Sequence, residues 1–491
     1  VARLLGLDIG TTSAKAIVID ERGNVLQTAS RAYPLSTPRP GWCEQDPDEW
    51  WRATQECLRE LSPLEPDAIG LTGQMHGSVF LDRDGEVIRP AILWNDQRTG
   101  RECEEMLAQL GRERILTTTC NPPMTGFQVP KVLWLRSNEP ESFHRVRNVL
   151  LPKDFIRFRL TGQLATDVTD ASGTGVFDVP NRRWSVEMLE ALDLPPSFFP
   201  PAHESWAQTG VTLPTTPLRS GVPVAAGGGD QAVGAVGTGA VVPGVVSVSL
   251  GTSGVVFAPL TDSSYDPKGS VHTFCHANGA WHAMSVMLSC GGAVEWFRAV
   301  VMPESSLGDF DTLAAEAPVG ADGLTFLPYL TGERSPHADP NVRAAFVGLS
   351  IAHSRSHLAR AVIEGVTFGL LDGLNALQAL GVHAQELRVT GGGARSDLWV
   401  SLLASAAGKP CLRLALDEGP ALGAAILAGV AIGVWPDVAS AAGECVRISG
   451  RIEPSGADLV PAYERYRRGY PAVSDLARDA AAILSDLATN A

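Results

Sequence analysis

Leu5-Gly-Leu-Asp-Ile-Gly-Thr-Thr-Ser-Ala-Lys-Ala-Ile-Val-Ile-Asp20 reads as an apolar strand, a turn of glycine and hydroxyl residues, and a second apolar strand. The same arrangement returns in Val245-Val-Ser-Val-Ser-Leu-Gly-Thr-Ser-Gly-Val-Val-Phe257. Self-similarity of this kind implies two related halves. A turn rich in glycine and hydroxyls presents free backbone N–H groups and can cradle phosphate. Two such turns, one from each half, can hold a polyphosphate from both sides. Single turns of this composition are common for other reasons, so the pair carries the weight. No G-x-x-x-x-G-K-[ST] occurs, which excludes a P-loop.

Between the two hairpins lies Ala225-Ala-Gly-Gly-Gly-Asp-Gln-Ala-Val-Gly-Ala-Val-Gly-Thr-Gly239, after an apolar run, Val222 to Ala226, that reads as a buried strand. Three glycines let backbone approach a ligand closely. Asp230 then stands between the carboxyl end of a strand and the amino end of a helix, where open α/β sheets place their chemistry. Taken alone, the residue reads equally as a helix cap.

A chain of 491 residues is too long for one core and implies two or more domains. Its net charge of −15 argues against nucleic acid or an anionic membrane as partner. The eight cysteines form no C-x-x-C or metal-ligand spacing and read as buried thiols of a reducing compartment. No run approaches the roughly 18 apolar residues of a membrane span, and the chain meets its first strand without a basic leader. The expected location is cytoplasmic.

After the first hairpin, Val25 to Ala29 reads as a third strand of a meander. Asp46, Pro47 and Asp48-Glu49 form a strong helix start. Ala68 to Leu81 reads as strand, glycine-bracketed turn, strand, with Met75, His76 and Gly77 in the turn. His76, between Gln74 and Gly77, is poorly placed for a core histidine and reads as a ligand contact, with a structural role as the alternative. Trp94 ends a strand from Ala91 and can stack on a substrate; a half-buried aromatic is the other reading. Residues 100–220 alternate helical patterns with Pro-rich loops; Gly126 to Leu135 opens a helix, whereas Asp154 and the Thr161–Asp167 loop receive no function. Gly291-Gly292 opens a helix whose N-terminus suits phosphate, although close helix packing explains it as well. Leu387 to Trp399 is again strand, glycine triplet and helix. The tail from Asp458 is charged, Ala-rich and helical.

These segments together resemble the FGGY carbohydrate kinases nearly end to end. Leu7-Asp-Ile-Gly-Thr-Thr-Ser, Glu44-Gln-Asp-Pro, Gly73-Gln-Met-His-Gly77, Leu93-Trp-Asn-Asp-Gln-Arg, Gly227-Gly-Gly-Asp-Gln231, Ser249-Leu-Gly-Thr-Ser253 and Thr390-Gly-Gly-Gly-Ala-Arg-Ser396 fall in the family's order. The family's second signature is matched by Ala344 to Glu364; its first only in part, since Gln128 and Ser137 stand where other residue types are usual. The resemblance implies an α/β fold: two duplicated ribonuclease H-like domains, as in actin and hexokinase ATPases, around an interdomain cleft. The division expected is 1–242, carrying the sugar site and first phosphate hairpin, and 243–491, carrying the second hairpin and adenosine site. It implies ATP and Mg²⁺ as cofactors and a small neutral sugar as partner, with a homodimer as the assembly to test. By the same resemblance, Asp230 is the catalytic base and Asp8 organises Mg²⁺ and phosphates. Met75, His76, Gly77, Trp94, Asp230 and Gln231 bind sugar. Thr11, Thr12, Lys15, Gly251, Thr252 and Gly291 surround the phosphates, and Gly391, Gly392 and Ser396 lie along adenosine. Met-His-Gly points to a ketopentose, xylulose ahead of ribulose or a polyol. An actin-like nucleotide switch shares the hairpins but has no use for Gly-Gly-Gly-Asp-Gln or Met-His-Gly.

Overall fold

The hairpin at the head of the chain forms as its pattern predicts. The computed structural model describes residues 2–416 and 419–489, with side chains through Leu476. In it, β1 (Leu4–Ile9) and β2 (Ser13–Ile19) pair antiparallel, with Asp8 opposite Lys15. Gly10 N–H donates to the Ser13 carbonyl at 3.1 Å to close the turn, and the Tyr33 hydroxyl donates to the Gly10 carbonyl. The strand β3 (Val25–Ala32) continues the meander. On the other side of β1, β4 (Ala68–Gly73) runs parallel to it, reached through α1 (Pro47–Leu61), because a parallel pair needs a crossover. Asp46 caps that helix by accepting from the Asp48 N–H, with Pro47 in the first turn. Helices α2 (Gln128–Asn138), α3 (Pro152–Thr161) and the single turn α4 (Val168–Ala171) follow. The sheet is completed by β5 (Gln208–Val211), β6 (Pro223–Ala225) and the short β7 (Gly228–Gly229), which leads into α5 (Asp230–Thr238).

A second sheet contains β8 (Val245–Leu250), β9 (Gly254–Leu260), β10 (His272–Cys275) and β11 (Trp281–Met287). After α6 (Gly291–Val301) and the long α7 (Arg355–Gln378) come β12 (Glu386–Thr390), α8 (Asp397–Ala407) and β13 (Cys411–Leu414). The helices α9 (Gly419–Ala431) and α10 (Val438–Cys445), β14 (Ile448–Ile452) and α11 (Val460–Thr489) end the described chain. The order β11-β9-β8-β12-β13-β14 repeats β3-β2-β1-β4-β6-β5 strand for strand. Every neighbouring pair also keeps its direction: antiparallel twice, parallel twice, then antiparallel. The duplication visible in two hairpins therefore extends over six strands, with β10 added at one edge.

Alternation along β1 sends Leu5, Leu7 and Ile9 into a core with Trp50, Cys57 and Leu58 of α1 and Phe155 and Ile156 of α3. The opposite face, carrying Leu4, Ile17 and Ala68, packs on α5 and on α9 and α10. The chain thus crosses back: helices that follow the second sheet's strands cover the first sheet. They do so at backbone distance. A Cβ added to Gly6 or Gly70 would lie 2.0 Å from the Ala421 carbonyl or 1.8 Å from that of Ala424. Among the described residues, no helix is long and apolar enough to cross a membrane.

Candidate active site

Strand β4 sets the positions of the two aspartates. Asp8 of β1 and Gly228 of β7 both pair with Thr72, from opposite sides. Two strand spacings, about 10 Å, therefore separate the Asp8 backbone from the segment leading to Asp230, at one carboxyl edge of the sheet. The N-cap position falls to Gly229, so Asp230 occupies the first position of α5 and the helix-cap reading does not hold. Its Oδ1 lies 3.5 Å from Gln231 Nε2. Burial pushes the Asp230 carboxyl up to about 6, against opposing hydrogen bonds from Gln231.

Asp230 and Gln231 line two cavities at once. One, of about 130 Å³, is walled by Met75, His76, Trp94, Phe127 and Arg334. The other, of about 250 Å³, is walled by Ser247, Ser249, Thr390 and Gly391. A third cavity, of about 690 Å³, is lined by Gly251, Thr252, Gly291, Gly392 and Arg395. The first is shared between halves, since Ser253, Met284 and Val286 reach it from the second sheet.

His76 adopts the left-handed region, φ +66°, which a non-glycine residue enters only when its surroundings hold it there. Lys131, fully buried on α2, does so: its Nζ donates to the carbonyls of His76 and Gly126, both at 2.7 Å. Burial holds the Lys131 ammonium well below its ordinary range. His76 Nδ1 lies 2.9 Å from the Gly173 carbonyl, so Nδ1 is the donor and Nε2 remains an acceptor. Burial first, and the Lys131 charge second, lower this imidazole to about 3. The ring is neutral and suited to accept from a sugar hydroxyl. Gly77 has no room for a side chain, an added Cβ lying 2.6 Å from Pro152 Cγ.

Trp94 Nε1 donates to Thr11 Oγ1 at 3.1 Å and Gln45 Nε2 to the Thr11 carbonyl at 2.7 Å, which ties the first hairpin to the wall of the first cavity. Thr12 is exposed and Lys15 faces Asp8 across the hairpin; neither lines the three cavities. Gly291 N–H donates to the Gly251 carbonyl at 2.8 Å, and a Cβ there would meet that oxygen at 2.6 Å. Close packing therefore explains this glycine, beside its place in the cavity wall. Gly391 has φ +82° and abuts Leu250, which lets β8 and β12 end together. Ser396 is 2% exposed, and its Oγ accepts from the Trp399 N–H at 2.9 Å to cap α8. Its neighbours Gly392 and Arg395, not Ser396, line the large cavity.

Several site residues escaped sequence reasoning. Ser247 and Ser249 alternate with Val246 and Val248, a period-two signal that places both hydroxyls on one face. Lys131 is a lone cation in the apolar run Val129 to Leu135, and that contrast marks it. Arg334 lies in the irregular loop Gly332-Glu-Arg-Ser-Pro336, where no periodicity applies.

Two family models divide the chain between them. The N-terminal domain of the FGGY family of carbohydrate kinases matches residues 3–237, and its C-terminal domain matches residues 246–432. The xylulose kinase of Escherichia coli K12 is 43% identical over 436 residues, covering 87% of this chain and 90% of that protein. The solved xylulose kinase from Rhodospirillum rubrum superposes with a TM-score of 0.91 at 31% identity, covering 97% of this chain and 99% of the other. A gluconate kinase from Lactobacillus acidophilus superposes equally well, TM-score 0.91, at 27% identity, covering 96% and 98%. With aspartates on β1 and at the start of α5 at one sheet edge, a cavity walled by both duplicated halves and both domain models matched in order, the chain belongs to the FGGY family of carbohydrate kinases.

Proposed function

We propose that the protein transfers the γ-phosphoryl group of ATP to the terminal hydroxyl of D-xylulose, giving D-xylulose 5-phosphate, with Asp230 as general base. The observation that carries this reading is the position of Asp230 in the walls of two cavities. One has a neutral imidazole and aromatic walls suited to a sugar; the other has serine hydroxyls and a glycine turn suited to phosphates. The xylulose kinases among its relatives support the choice of sugar.

The sugar enters between Trp94 and Phe127, its far oxygens toward His76 Nε2 and its reacting hydroxyl toward Asp230. As the hydroxyl oxygen attacks the γ-phosphorus, its proton passes to the carboxylate and the bond to the bridging oxygen breaks, releasing ADP. The Gly251-Thr252 and Gly391-Gly392 turns hold the nucleotide; residues 1–242 supply most of the acceptor contacts and residues 243–491 most of the nucleotide contacts, with Ser253, Met284, Val286 and Arg334 closing the acceptor cavity from the second half. Asp8 fits Mg²⁺ in the usual manner, one carboxylate plus substrate phosphates, and among the described residues no group of three acidic, histidine or cysteine ligands offers an all-protein site. When bound, Mg²⁺ offsets charge on the phosphate oxygens.

A sugar acid is the second reading, favoured by the Arg334 side chain in the acceptor cavity and by the gluconate kinase of the same fold. Coupled ADP release across pentuloses, hexuloses, polyols and aldonates decides between them. The highest kcat/KM on D-xylulose is expected; an aldonate ahead of every neutral sugar would replace the proposal with the second reading.

A further inference from the structure

The reaction as drawn leaves unused a group of buried charges built from α3 and the segment that follows it. Lys153 Nζ, 0% exposed, lies 2.6 Å from Asp154 Oδ1, 2.9 Å from Asp167 Oδ1 and 3.4 Å from Asp170 Oδ2. Arg157 pairs with Asp154 from one turn further along α3. Burial holds the Asp170 carboxyl well above its ordinary range. Stability is a weak account of such a group, since apolar side chains of the same volume often serve a fold as well. What the group touches gives a better one.

Asp167 Oδ2 accepts from the Thr169 N–H at 2.7 Å and from the Thr169 hydroxyl at 2.6 Å. With its proton committed to Asp167, Thr169 Oγ1 is an acceptor, and it receives the Gly229 N–H at 3.0 Å. Gly229 is the residue before Asp230. A few residues along the same segment, the Gly173 carbonyl accepts from His76 Nδ1. Neither junction has slack. A Cβ on Gly228 would lie 2.8 Å from Thr169 Oγ1, one on Gly229 2.7 Å from Met75 Cγ, and one on Gly173 2.3 Å from His76 Nδ1. One buried segment, 167–174, therefore touches the backbone that carries the base and the imidazole that faces the sugar.

We propose that this segment fixes the separation of Asp230 and His76, and that Thr169 is the positioning residue through which it holds the base. The proposal rests on the reading of Asp230 as general base. Proton transfer needs the carboxylate within about 2.6–3.2 Å of the sugar hydroxyl, and a misplacement of about 1 Å costs roughly 10²-fold in rate. Without the Thr169 oxygen, the Gly229 N–H loses its partner and a glycine pair with wide torsional freedom is left to set that distance.

Thr169→Val removes the hydroxyl at nearly constant volume, and Thr169→Ser keeps it. Both are compared with the wild type and Asp230→Asn for kcat and for the KM of D-xylulose and ATP. Thr169→Val is expected to lose about 10- to 100-fold in kcat with the ATP KM held within about twofold, while Thr169→Ser stays within about threefold of wild type. Wild-type kcat in folded Thr169→Val, or a serine variant as impaired as the valine one, would overturn the proposal. If the valine variant does not fold, Thr169→Ala serves, since it removes the same oxygen, with the same loss of kcat expected and an unchanged kcat fatal. An active Asp230→Asn enzyme would remove the base reading and this proposal together. An inactive one beside a fully active Thr169→Val would remove the positioning role alone.

Discussion

As the proposed general base, Asp230 meets two opposed demands: burial raises its pKa to about 6, yet the role requires it ionised to accept a proton. Activity should therefore rise with pH through about 6 and fade below it as the carboxylate is protonated; kcat/KM measured from pH 5 to 8 checks this. Stability runs the other way. The folded-state pKa lies above the ordinary 3.8, so the folded protein binds this proton more tightly. The group favours folding below about 4, and that contribution is lost as pH rises from about 4 to 6. Asp230→Asn should then melt no lower than the wild type at pH 7.5, and a clearly lower Tm would contradict the burial argument. His76 is held neutral down to about 3, so it adds no pH dependence to sugar binding above pH 5. His76→Ala should weaken sugar binding and spare ATP, whereas Asp8→Ala should impair Mg²⁺-dependent nucleotide binding and spare the sugar. Calorimetric titration of each ligand into each variant tests the split; equal losses for both ligands in both variants would show that the two sites are not separable.

Among the elements, the two hairpins were legible because strand, hydroxyl-rich turn and strand leave a period-two signature. The start of α1 was legible through Asp46 and Pro47. Strands β4 and β12 were each legible as strands, and Ile69-Gly-Leu-Thr-Gly73 and Leu387-Arg-Val-Thr-Gly391 share an apolar-x-apolar-Thr-Gly pattern, but their equivalence shows only in the sheets, where each lies parallel beside the first strand of its hairpin. The return of α9 onto the first sheet was also hidden. Its signal is spread over Gly6, Gly70, Gly237 and Gly423, whose common reason is a backbone approach visible only in three dimensions. A Cβ on Gly423 would meet the Val233 carbonyl at 1.9 Å, and one on Gly237 that of Gly419 at 1.9 Å. Gly423→Val should therefore destabilise by about 1–3 kcal/mol or more, as overpacking does. Gly443→Ala on α10, where nothing lies within 4 Å, should stabilise by about 0.5–1 kcal/mol. Denaturant melts of the two variants check the contrast; similar midpoints for both would dismiss the close crossing. Lys131 teaches a narrower lesson. A lone cation inside an apolar helical run has to be paid for by partners, and here those partners are the carbonyls of His76 and Gly126.

For the whole molecule, the proposed acceptor cavity has walls from both halves, so the site is complete only when the halves close on it. The halves meet backbone to backbone where α9 crosses β1, β4 and α5. Sugar and nucleotide together should favour the closed arrangement, which completes the site and excludes water. The radius of gyration in solution should fall when D-xylulose and a non-hydrolysable nucleotide bind, and ATP hydrolysis without sugar should be far slower than phosphorylation. An unchanged radius with sugar-independent hydrolysis would defeat closure. The most direct measurement is the rate of D-xylulose-dependent ADP release by folded Asp230→Asn at saturating sugar and ATP. A loss of about 10²- to 10⁴-fold in kcat is predicted for removal of the general base; turnover near that of the wild type would contradict it.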